Sequence, residues 1–155
     1  RYWPPRGMQQ NWDAVGIATI EGIEEWLLVE AKAHSDELSS DCGADERGGL
    51  PQIRQVLNDL KRACGAPDQA DWVHGYYQFA NRLAVLDFLN ASSVPTRFVM
   101  LYFCGDQRPD SYKCPASPEA WQPVLEEQAR VLGLEHDYPL LARVHKLFLP
   151  VIDAS

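Results

Sequence analysis

The segment "EWLLVEAKAH", residues 25–34, decides how this chain is read. Its first half, Trp26, Leu27, Leu28 and Val29, is an unbroken apolar run of the kind a buried strand shows. Its second half sets a carboxylate, Glu30, two residues before an ammonium, Lys32. Side chains alternate along a strand, so Glu30 and Lys32 project from one face together with Trp26, Leu28 and His34. Ala31 points the other way.

Upstream, "NWDAVGIATI" (11–20) alternates polar or small residues with apolar ones, and "EGIEE" supplies a turn at Gly22. The two runs read as a β-hairpin. With the turn centred on Glu21-Gly22, Ile20 faces Ile23, and continuing that register sets Asp13 opposite Glu30. Directly opposed residues hold their Cβ atoms ~4.5–5.5 Å apart. Two carboxylates that close repel each other unless a cation lies between them, and a hard divalent ion with oxygen ligands suits the gap. A slip of one residue would send Asp13 to the other face.

Downstream, "HSDELSSDCGADERGG" (34–49) reads as a polar loop. Ile53, Val56, Leu57, Leu60 and Cys64 follow helical spacing from Pro51, with Gly65 as a C-terminal cap. A second helix is expected over about 71–90, closed by "ASSVP". "RFVMLYFC" (97–104) is a strand covered on both faces, "GDQRPDSYKCPAS" a loop, and Ser117-Pro118-Glu119 a helix start leading to Gly133. Pro123 threatens to kink that helix. "VHKLFLPVI" (144–152) is the last strand, at an edge because of Pro150. This order gives a single α/β domain over 1–155: a mixed sheet, with an N-terminal antiparallel hairpin and parallel strands, flanked by helices.

The 155 residues suffice for a substantial core without disulfides or a structural metal. No apolar run approaches a membrane span, no signal peptide is evident, and a cytoplasmic protein without a membrane partner is expected. The four cysteines (Cys42, Cys64, Cys104, Cys114) lack paired metal-ligand spacing and read as reduced thiols, Cys64 and Cys104 in the core. A net charge of −8 argues against a general nucleic-acid coat protein but leaves room for an enzyme with a local basic groove.

Asp13, followed after a hairpin by Glu30-Ala31-Lys32, resembles the PD-(D/E)XK nuclease superfamily, with its restriction-endonuclease-like fold. The stretches "NWDAVG" and "LLVEAKAH" carry the resemblance, and the element order matches over roughly residues 11–104. The resemblance implies Asp13 and Glu30 as ligands of Mg²⁺ or Mn²⁺, with the Ala31 carbonyl as a third oxygen. It implies Lys32 as the group that orients water or stabilises charge on the phosphate. Trp12 stands where the family often has proline. The family's acidic residue on a helix before the hairpin has no counterpart among the first twelve residues, so that helix is missing or lies upstream of Arg1.

An acid-x-Lys triplet arises by chance about once in a chain of this size. Asp59-Leu60-Lys61 is such a case, on a helix where the two charges do not share a face, and reads as solvated surface. An ordinary salt bridge at a polar strand end also accounts for Glu30 and Lys32, but leaves Asp13 unexplained. In "HGYYQFANRL" (74–83), Gln78 and Arg82 lie four apart on one helical face, with His74 a turn earlier. Some branches of the superfamily carry a glutamine beside the metal, which makes Gln78 a further catalytic candidate and Arg82 a phosphate contact. A solvated stripe opposite the core residues Trp72, Tyr76, Phe79, Ala80 and Leu83 is the plainer reading. His34 extends the Glu30-Lys32 face, and Asp36 or Glu37 would serve a second metal if not simply a solvated loop. Arg47, Arg54, Lys61 and Arg62 make a modest basic strip if one face collects them.

The expectation is a divalent-metal-dependent nuclease hydrolysing phosphodiester bonds of nucleic acid, DNA before RNA. The alternative is a nuclease fold that no longer cleaves and serves as an interaction or assembly module. Oligomeric state is left open, a homodimer included.

Overall fold

A computed structural model describes residues 11–106, 114–135 and 137–152. The hairpin consists of strand β1 (Ala14–Ile20) and strand β2 (Ile23–Lys32). Its two-residue turn has both members at positive φ, Glu21 at 51° and Gly22 at 82°. Such a turn matches the twist of the flanking strands and fixes their register. Ile20 pairs with Ile23, and the ladder runs unslipped to Ala14 opposite Val29.

Helix α1 (Leu50–Ala63) follows, then α2 (Tyr77–Ala91), strand β3 (Thr96–Cys104), α3 (Pro118–Leu132) and strand β4 (Val144–Pro150). Short 3₁₀ turns occupy Ser35–Leu38 and Pro139–Arg143. The four strands lie in chain order, β1 antiparallel to β2, and β2, β3 and β4 mutually parallel. This is the mixed, helix-flanked sheet expected from the pattern. The expected loop over 105–117 falls in part outside the described residues.

The central strand β3 explains where the core lies. Thr96, Phe98, Met100, Tyr102 and Cys104 are all buried on one face. Phe79 of α2 lies 5.9 Å from Phe98 on that face, and Trp121 of α3 lies 4.8 Å from Tyr102, ring centre to ring centre. Ile53, Leu57 and Leu60 of α1 complete the cluster. Burying such aliphatic side chains contributes roughly 1.5–3 kcal/mol each. The cysteines are unbridged, with Cys104 buried and Cys64 packed half-buried against the core. None of the described helices is long and apolar enough to cross a membrane.

Three local expectations change. The second helix begins at Tyr77 rather than near residue 71. The Asp71 carboxylate accepts the N–H groups of Val73 and His74, and Gly75 adopts φ 76°, so this stretch closes as a turn and His74 precedes the helix. Strand β2 ends at Lys32, and His34 becomes the cap residue before the 3₁₀ turn Ser35–Leu38 instead of extending the Glu30-Lys32 face. Lys61 is buried, not solvated: its Nζ donates to the carbonyls of Asp68 at 2.7 Å and Ala70 at 3.1 Å, because the chain after α1 folds back over it. Asp59 of the same triplet is exposed and pairs with Arg62, as a surface charge should. Helix α3 runs through Pro123 without a break, from a Ser117 cap to Gly133 at φ 67°.

Candidate functional site

Parallel strands collect functional groups at their carboxyl ends, and β2 presents Glu30 and Lys32 there, level with Met100 and Tyr102 of β3. Glu30 and Lys32 both point into the helical layer and are only 5% and 7% exposed. A buried charge survives only when paired and hydrogen-bonded. Lys32 Nζ donates to Glu30 Oε1 at 3.0 Å and to Gln78 Oε1 at 2.8 Å. Gln78 Nε2 donates back to Glu30 Oε1 at 2.9 Å, which closes a three-residue ring.

Helix α2 supplies the second cation. Arg82, one turn after Gln78, donates from Nε to Glu30 Oε2 at 3.0 Å, and its Nη2 lies 3.0 Å from the same oxygen. Nη2 also donates to the Asn11 carbonyl at 2.6 Å. The guanidinium lies 4.3 Å above the Trp12 ring, within cation–π range. Trp12 in turn meets Phe98 edge-on at 5.5 Å. The start of α2 is held in place by the segment after β2: Ser40 Oγ accepts the Gln78 N–H at 2.8 Å, and Asp41 Oδ1 accepts the Gly75 N–H at 2.7 Å.

Asp13 lies just before β1 and is exposed. Its N–H donates to the Val29 carbonyl at 3.1 Å, although Val29 pairs with Ala14, so two residues of one strand meet one of the other and the chain bends. Its Oδ2 accepts the Ala31 N–H at 2.7 Å. The Asp13 carboxylate is thereby fastened to the residue between Glu30 and Lys32. Glu30, Lys32 and Gln78 form one buried ring, whereas Asp13 reaches the triplet through the Ala31 N–H; the paired ladder ends at Ala14, so the expected direct opposition of Asp13 and Glu30 is not made.

The donor chemistry is hard oxygen, which fits Mg²⁺ or Mn²⁺ in kind. Glu30 Oε1 and Oε2 are each engaged by a protein cation, so Glu30 takes part in coordination only by exchanging a partner. Among the described residues no group of three or more His, Cys, Asp or Glu side chains is arranged to hold a metal, so the set rests on two carboxylates and main-chain oxygen.

The remaining candidates do not join this cluster. His34 Nε2 lies 2.9 Å from Glu37 Oε1, which also accepts the N–H groups of Ala33 and His34, so the pair stabilises its own turn. His74 pairs with Asp71 at 2.8 Å. Of the basic strip, Arg54 pairs with Glu46, Arg62 with Asp59, and Lys61 is buried. The open groove along α1 that these residues line therefore has its arginines already matched to acids.

Sequence reading missed four contributors. Trp12 registered only as a substitution for proline, yet carries Arg82. Ser40 and Asp41 gave no signal beyond loop composition. Gln128 of α3 is buried and lines the small cleft that Glu30, Lys32, Gln78 and Arg82 share with Phe98 and Met100. It had been hidden in an ordinary helical stripe.

No family model matches the sequence, and no curated protein and no solved structure matches it significantly.

Proposed function

We propose that this chain is a divalent-metal-dependent nuclease that hydrolyses phosphodiester bonds of nucleic acid, DNA before RNA, with a PD-(D/E)XK arrangement of residues. The observation that carries this reading is the 2.7 Å bond from Ala31 N–H to Asp13 Oδ2. It ties an acid on the bend before one strand to the acid-x-Lys triplet of the next, and neither a stray triplet nor a surface salt bridge calls for that.

Asp13, Glu30 and the Ala31 carbonyl would hold Mg²⁺ or Mn²⁺. The ion, when bound, polarises a phosphate and lowers the pKa of water. Lys32 directs positive charge to where the phosphate gains negative charge in the transition state. Gln78 fixes both Lys32 and Glu30 through its amide, so neither swings freely. Four unbridged thiols suit the reducing cytoplasm. Hydrolysis of plasmid and linear DNA in Mn²⁺ or Mg²⁺, with a chelator control, tests the reading. Cleavage should vanish in Lys32→Ala and Glu30→Ala; cleavage that persists in both rejects the mechanism.

A second reading has its own observation. Glu30 is fully neutralised by Lys32 and Arg82, which is how a retained fold without catalysis would stabilise an old acidic site. In that case the chain is an interaction or assembly module. Mn²⁺ then leaves the melting temperature unchanged, whereas ligand binding to the folded state raises it.

A further inference from the structure

We propose that Arg82 is an exchangeable counter-cation, which holds Glu30 while no metal is bound and yields Glu30 Oε2 when a divalent cation arrives. This rests on the metal-dependent reading above and goes beyond it, because it names the residue that controls access to the site.

The argument starts from charge. Glu30, Lys32 and Arg82 together carry one negative and two positive charges in a space where each is less than 9% exposed. Both oxygens of Glu30 are taken by protein cations, so a divalent cation gains one of them only if a protein cation lets go of it. Lys32 is poorly placed to do so: it rises from the same strand two residues beyond Glu30, and Gln78 Oε1 fixes it at 2.8 Å. The two oxygens of Glu30 also differ. Oε1 accepts from both Lys32 and Gln78, whereas the contacts to Oε2 come from Arg82 alone among the described residues. Withdrawal of Arg82 therefore opens one whole carboxylate oxygen and leaves the Lys32-Gln78-Glu30 ring intact.

Arg82 also has somewhere to stay. Its Nη2 is bonded to the Asn11 carbonyl and its plane lies over Trp12, two anchors next to Asp13 that do not involve Glu30. The guanidinium can give up one acceptor and keep the others, so its charge is never left buried without partners. An arginine whose only acceptor was Glu30 could not exchange in this way.

Calorimetric titration with Mn²⁺ tests the proposal on wild type, Arg82→Gln and Glu30→Gln. An internal competitor that is removed should tighten binding by at least about fivefold in Arg82→Gln, and Glu30→Gln should lose binding. Equal or weaker binding by Arg82→Gln overturns the exchange while the metal reading stands. Absence of binding in both wild type and Arg82→Gln overturns both. A measurement without substitution covers the case in which the variant is unfolded: in ¹H–¹⁵N spectra of the wild type, the Arg82 Nε–H resonance should move as Mg²⁺ saturates the protein. A resonance unmoved at saturation rejects the proposal.

Discussion

The Asp13 carboxylate accepts the main-chain N–H of Ala31 at 2.7 Å, so an acid on the bend before β1 is seated against the centre of the Glu30-Ala31-Lys32 triplet. The bond needs an oxygen but not a charge. Asp13→Asn keeps the acceptor and removes the anion, and at this exposed position it should change stability by less than about 1 kcal/mol. Mn²⁺-dependent hydrolysis should nonetheless fall roughly a hundredfold or more. Urea denaturation beside a DNA-cleavage assay separates the two effects; an active Asp13→Asn protein would remove Asp13 from the metal site.

Lys32 combines a structural and a chemical demand. Lys32→Met preserves the length of the stem and lets Glu30 keep Arg82, but leaves Gln78 Oε1 without its donor. A partly buried acceptor deprived of its partner costs at most about 1–3 kcal/mol. Loss of a positive charge aimed at the reacting phosphate should lower the cleavage rate by about 10²–10³. A protein that loses stability but cleaves at the wild-type rate assigns Lys32 to the fold alone.

The parts of this architecture that local chemistry controls were legible in the chain. Gly22 and the alternation around it fixed the hairpin register, and the spacing of Gln78 and Arg82 placed both on one side of α2. What escaped were partnerships made over long separations. Nothing near Arg82 announces that its acceptor is Glu30, 52 residues away. Lys61 looked solvated because the carbonyls that bury it come from a loop whose path depends on packing. Asp13 satisfied the register on paper, yet the bend before β1 binds its carboxylate to the backbone of β2. The start of α2 was misplaced because apolar spacing over 71–76 outweighed the turn chemistry of Asp71 and Gly75.

A second buried acid makes the fold sensitive to pH. Glu25 on β2 receives Arg97 Nε at 2.7 Å and Nη2 at 3.2 Å, and Arg143 Nη1 at 3.0 Å. The hydrogen bond from Arg97 is the chief reason its carboxyl is held below the ordinary range, with the charges of Arg97 and Arg143 acting in the same direction against burial. A carboxyl with a lowered pKa in the folded state stabilises the protein above the unfolded value, ~4–4.5, and that contribution is lost as pH falls through the folded value. Urea midpoints collected from pH 7 down to pH 3 should drop at the acid end. In Glu25→Gln the neutral-pH midpoint should be lower and this part of the acid-limb decline absent. An acid limb as steep as that of the wild type would assign the effect to other carboxylates.

The end of α3 allows backbone strain to be separated from steric collision. Gly133 and Gly65 have nearly the same left-handed backbone, φ 67° and φ 68°, so an alanine at either position bears a similar conformational penalty of roughly 1–2 kcal/mol. Their surroundings differ. A Cβ on Gly65 meets nothing within 4 Å, whereas one on Gly133 collides with Pro67 Cδ and touches Ala66 Cβ. Both neighbours belong to the segment that follows α1, and Leu132, just before Gly133, accepts the Trp72 indole N–H at 2.9 Å. Gly133→Ala must therefore push apart two elements that close the bottom of the core, while Gly65→Ala strains only its own turn. The melting temperature should fall further for Gly133→Ala than for Gly65→Ala. Equal losses would mean that the Pro67 segment yields without cost and that backbone conformation alone dictates glycine at both sites.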